Sequence, residues 1–124
     1  MKALSALAFT AALVAGAAHA DCPYPTPPAK LPDGATATLE EMLAAQKTVK
    51  AYQKAIDDYV ACIDKALDEA IAKGGDKLKP EQQADMQKVE HQKHNAAIDQ
   101  EQAIADRFNE QVRVFKSRPP GKKD

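Results

Sequence analysis

The chain has 124 residues, 17 basic and 18 acidic side chains, 44% apolar residues, only 5% aromatic ones and no Trp. That length allows one domain, and so few bulky side chains suit thin helical layers better than a nucleotide-binding α/β domain. A balance this near neutral argues against a dedicated nucleic-acid binder, which needs a basic face.

Residues 1–20 read as a secretory signal peptide. Lys2 gives a positive start, Ala3 to Ala15 is mostly apolar, and Ala18-His19-Ala20 is a small-x-small cleavage site. The run is too short to span a bilayer as an anchor, and Asp21 argues against lipidation of Cys22. Cleavage after Ala20 removes Lys2 alone among the charged residues and leaves a formal charge of −2. The expectation is an exported chain, periplasmic or extracellular, with no transmembrane segment after processing.

Residues 21–37 follow as an extended strap. Pro23, Pro25, Pro27, Pro28 and Pro32 each fix φ and remove a donor, which favours polyproline-like chain. Cys22 and Cys62 are the only cysteines. An even count in an oxidising compartment predicts one disulfide between them, whereas a redox-active pair would want close spacing. The bridge would close a loop of about 40 residues, worth roughly 4 kcal/mol in the chain-entropy model.

A helical hairpin is expected over residues 38–117, as a helix at 38–73, a turn at 74–79 and a helix at 80–116. Thr38-Leu39-Glu40-Glu41 is a capping box, and Gly74-Gly75 offers a stop with positive φ. Between them Leu39, Met42, Gln46, Val49, Gln53, Ile56, Val60, Ile63, Leu67 and Ala70 alternate three and four apart, the seam of a paired helix. Gln46 and Gln53 interrupt that seam and are candidates for setting register. Ala45, Tyr52, Ala55, Tyr59, Cys62 and Ala66 form a second stripe beside it. A polyproline-like chain from Cys22 to Thr38 reaches roughly 50 Å, while Thr38 to Cys62 spans only about 36 Å of helix. The strap is therefore expected to fold back and cover this stripe, with Tyr24 against Tyr52 and Tyr59.

The second helix starts at Pro80, suited to a first turn, with Glu81 near the positive dipole end. Its apolar stripe is poorer: Met86, Val89, Ala97, Ile104, Phe108 and Phe115, with Ile98 and Val112 to one side. Matched lengths around a short turn predict an all-α, coiled-coil-like antiparallel hairpin. Two such hairpins can also pair into a four-helix dimer, and the pattern leaves monomer and homodimer open. Residues 118–124 read as a disordered basic tail. The wider stretch from Arg107 to Asp124 carries six basic and two acidic side chains, as a solvated tail or a patch for anions.

Chemistry-bearing residues are few. His91 and His94 sit at i and i+3 on the second helix, near enough to share a divalent ion as neutral imidazoles. In the hairpin their turn lies opposite Val60 and Ile63, so Asp57 or Asp64 is a candidate third ligand. The competing reading is a solvated polar face, which Lys93 between the histidines favours. A di-iron carboxylate pattern would need Glu-x-x-His on two helices, which the sequence lacks. Ser117 is the only serine after residue 20 and stands next to Arg118, with no assembled base. With no Gly-rich phosphate loop, the sequence predicts neither an enzyme nor a cofactor.

Two resemblances add to this reading. Leu31-Pro32-Asp33-Gly34-Ala35-Thr36-Ala37-Thr38, with Glu41-Met42, Ala45-Gln46, Val49-Lys50, Tyr59-Val60-Ala61-Cys62, Asn95-Ala96-Ala97 and Phe108-Asn109-Glu110-Gln111-Val112-Arg113, resembles a group of small secreted bacterial proteins. That resemblance implies export and helical structure but no particular activity. Leu78-Lys79-Pro80-Glu81-Gln82 is similar to the Leu-Thr-x-x-Gln motif of the CpxP/Spy-type periplasmic helical proteins, with Lys79 in place of Thr and no second copy. This second resemblance implies an ATP-independent chaperone or metal-stress protein. The expected role is a non-enzymatic exported interaction or structural protein of the cell envelope, bound to an unknown protein partner or to itself. The alternative is a periplasmic chaperone or metal-responsive protein.

Overall fold

The computed structural model describes residues 22–121; the leader expected at 1–20 and the end of the basic tail lie outside the described residues. Two long helices pack antiparallel as a hairpin, with no strand among the described residues. Helix α1 runs Leu39–Gly74, a short 3-10 turn covers Gly75–Lys77, and helix α2 runs Pro80–Ser117. At 36 and 38 residues they are rods of about 54 and 57 Å.

Local chemistry sets their ends. The Glu41 amide donates to Thr38 Oγ1 at 3.2 Å, and the Thr38 amide donates to Glu41 Oε2 at 2.7 Å, so the capping box is closed in both directions. Gly75 stops α1 with φ of +47°, its amide donating to the Ile71 carbonyl. Pro80 opens α2, and the Lys79 amide donates to Gln82 Oε1 at 3.0 Å.

The core is a single file between the rods. Met42, Val49, Tyr52 and Ile56 of α1 form one buried cluster with Ala97, Ile104, Phe108 and Phe115 of α2, and Ile63 is buried nearer the turn. Ile56 and Ala97 are fully enclosed. A cavity at Ile56 is expected to cost about 2–5 kcal/mol on truncation to Ala. Polar groups enter the seam as well. Gln53 Nε2 donates to Glu101 Oε1 at 3.2 Å, a directional contact across the helices. Gln46, the other polar interruption in the α1 pattern, is exposed.

Two apolar positions depart from the expected seams. Leu39 is about half exposed (53%), because Met42, Ala37 and Phe115 close the end of the core instead. Val89 is also half exposed (49%), because the inward position of that turn belongs to Glu90. Counting back seven residues from buried Ala97 lands on Glu90, and one residue's offset rotates Val89 by about 100° toward solvent.

The strap lies along α1 and then crosses to the end of α2. Cys22 and Cys62 form a disulfide with a Cα–Cα separation of 5.8 Å. The Tyr24 ring meets the Tyr59 ring edge-to-face at 5.0 Å. Pro25, Pro27, Pro28, Leu31 and Pro32 are half-buried on the way, and Leu31 packs against the core. An Asx turn follows: the Ala35 amide donates to Asp33 Oδ1 at 2.8 Å and the Ala37 amide to the Asp33 carbonyl at 2.7 Å. The Gly34 amide donates to Gln111 Oε1 at 2.8 Å. Arg118, which the sequence places in the tail, donates to the Gly34 and Ala37 carbonyls and lies over the Phe115 ring at 5.1 Å. The strap is thus held at both ends.

Candidate functional site

The densest group of chemistry-bearing side chains bridges the two rods about a third of the way along the hairpin from its turn. Glu90 and His94 stand one turn apart on α2, and so share a face. Across from them, α1 presents Asp64. His94 Nδ1 lies 3.7 Å from Glu90 Oε1 and 3.9 Å from Asp64 Oδ1. Both distances are too long for hydrogen bonds. Ligand atoms of all three residues lie within 4.8 Å of one another, which makes this the group that could hold a metal ion among the described residues.

Burial differs sharply across the group. The Glu90 side chain is nine-tenths buried, whereas His94 is 39% and Asp64 52% exposed. Glu90 Oε1 is shielded from solvent and has no hydrogen-bond partner. An ionised carboxylate in that position lacks both water and a donor, and such a group is costly to leave uncompensated. Burial first, then the neighbouring Asp64 carboxyl, push the Glu90 pKa above the ordinary Glu value, while the charges of His91 and His94 pull it down. Once one of the two carboxyls is protonated, the pair can share that proton.

The remaining sequence candidates fall elsewhere. His91 is largely exposed, and its Nε2 lies 3.7 Å from Glu90 Oε2, on the side of the carboxylate away from His94. Asp57 is exposed and outside the group. Of the two aspartates named opposite the histidines, the fold brings Asp64 into place. The spacing of histidines and aspartates alone leaves Glu90 out, although the heptad that buries Ala97 and Ile104 points to it.

Glu90 also lines a groove of about 580 Å³ between the helices, beside Tyr59, Ile63, Leu67, Met86 and Val89. The disulfide sulfurs are committed to each other, so no thiolate is offered among the described residues. No described helix is long and apolar enough to cross a membrane. Compared with protein-family models, curated proteins and solved structures, the chain matches none.

Proposed function

We propose that the chain is an exported, non-enzymatic helical module of the cell envelope that works by binding a protein partner or a second copy of itself. The observation that carries this reading is the division of the apolar surface. The strap covers the Tyr52/Tyr59 stripe and is fastened by Cys22–Cys62 at one end and by Gly34 and Arg118 at the other. Leu39 and Leu43, one turn apart at the start of α1, and Val89 and Ile98 on α2 stay outward. The Leu39/Leu43 pair, on one face of α1, is the aliphatic spot suited to association, whereas Val89 and Ile98 stand singly, nine residues and so about half a revolution apart. A disulfide between the described cysteines accords with an oxidising compartment, as does the leader.

Photocrosslinking tests the reading. A photoreactive residue at Leu43, and separately at Val89, is introduced into the full chain produced in its own cells. The expected result is a discrete adduct of defined mass at one or both positions, either a homodimer or one partner. Absence of any discrete adduct at both positions would overturn the proposal. A smear of many unrelated proteins, together with suppression of client aggregation in vitro, would transfer the chain to the chaperone class.

A further inference from the structure

We propose that Asp64, Glu90 and His94 form a binding site for a single zinc-class divalent transition-metal ion that ties α1 to α2. Each donor comes with a different reason. His94 supplies an imidazole nitrogen at Nδ1, 3.7 and 3.9 Å from the two carboxylates. In a tetrahedral site with bonds of about 2.0–2.1 Å, ligand atoms stand about 3.3 Å apart. The two His94 contacts therefore need to close by only about half an ångström, and the Glu90 and Asp64 carboxylates, within 4.8 Å of each other, by up to about 1.5 Å, within the reach of side-chain torsions. As they stand, the two gaps from His94 are too wide for hydrogen bonds.

Glu90 provides the second, independent observation. Its side chain is nine-tenths buried, and Oε1, the oxygen facing His94, has neither water access nor a donor. A cation at the midpoint of the three groups supplies what that oxygen lacks. Asp64 completes the set from the other helix, and its half-exposed carboxylate gives the ion a path in from solvent.

The donor set also selects the ion. One imidazole and two carboxylates suit zinc and its neighbours, whereas Ca²⁺ takes six to eight oxygens and Mg²⁺ keeps its waters. Soft-metal binding through thiolate is closed because both cysteines are in the disulfide. Three protein ligands leave a fourth position for water. The site differs from a His91/His94 pair. The two histidines flank Glu90 on opposite oxygens, and only His94 belongs to the compact group.

Calorimetric titration of the oxidised full chain with Zn²⁺ alone tests this. The expected result is one ion per chain with a Kd below roughly 0.1 mM. His94→Ala, Glu90→Gln and Asp64→Asn are each expected to weaken binding at least about tenfold. His91→Ala is expected to stay within about threefold of the parent. His94 and Asp64 are partly exposed, so their variants keep the fold, which circular dichroism verifies. Because the ion joins the two helices, a Zn²⁺ concentration that saturates the parent also raises its thermal midpoint, and raises that of Asp64→Asn clearly less. Absence of saturable one-to-one binding overturns the proposal. So does binding that survives Glu90→Gln and Asp64→Asn but is lost in His91→Ala.

Discussion

Gly34 lies so close to Gln111 that a Cβ built on the glycine would stand 2.0 Å from the Gln111 carbonyl oxygen. That oxygen belongs to helix backbone and cannot swing aside. The strap therefore closes on α2 through the one residue type without a side chain, and the Gly34 amide uses the approach to bond Gln111 Oε1. Gly34→Ala is expected to lift the turn from α2 and cost about 1–3 kcal/mol. A lower thermal midpoint together with faster tryptic cleavage after Lys30 would show it. An unchanged midpoint would contradict the close approach.

Release of the other end is expected to be at least as costly. Replacing Cys22 and Cys62 together by Ala removes a cross-link with a sequence separation of 40 and loosens the Tyr24–Tyr59 contact. The expected loss is about 2–4 kcal/mol in denaturant unfolding. Far-ultraviolet circular dichroism should fall little, since the capping box, the Gly75 stop and the Ile56–Ala97 core are independent of the strap. Loss of most helical signal would mean that the hairpin depends on the clamp.

Glu90 makes stability depend on pH in an identifiable direction. Its carboxyl holds a proton more tightly in the folded chain than in the unfolded one, burial being the main cause and Asp64 the next. Its contribution is therefore fully present below the ordinary unfolded Glu value and is lost as pH rises through the raised folded value. Glu90→Gln carries no charge at either end of that window. With a chelator present, the variant is expected to melt higher than the parent at pH 7.5, and the advantage should shrink or vanish at pH 4. Thermal scans at the two pH values measure the difference. A variant that melts lower than the parent at pH 7.5 would show that the Glu90 charge is already compensated.

Tyr52 offers a simpler case. It is only 4% exposed, and its hydroxyl is enclosed beside the Tyr24 phenol without a well-formed hydrogen bond. Burial, followed by the neighbouring Tyr24, raises its phenol above the ordinary value. Tyr52→Phe keeps the ring and removes an unsatisfied polar group, so stability should stay level or rise by up to about 1 kcal/mol. A loss of 1 kcal/mol or more in equilibrium unfolding would reveal a bond made by that hydroxyl.

The architecture was legible because its signals are local. Thr38 with Glu41, Gly75 and Pro80 act within one turn, and the cysteine pair needs only the oxidising setting and enough reach. The middle of α2 was harder to read. Phasing its stripe on Met86 and Val89 sends Glu90 and His94 to solvent, whereas phasing it on Ala97, Ile104 and Phe108 turns both inward. Charged residues at seam positions break the hydrophobic pattern on which phasing depends, so the site hides its own register. The Gly34–Gln111 approach and the return of Arg118 to the strap were out of reach for a different reason. Both depend on where the strap ends relative to α2, which no periodicity within either segment encodes.

Peptide mapping without reductant, on protein recovered from the compartment where it accumulates, tests the exported and clamped state most directly. The account predicts a mature N-terminus at Asp21, a single linked peptide pair joining Cys22 to Cys62, and no thiol open to alkylation. Recovery of the chain with residues 1–20 still attached, or with both cysteines alkylated, would contradict it.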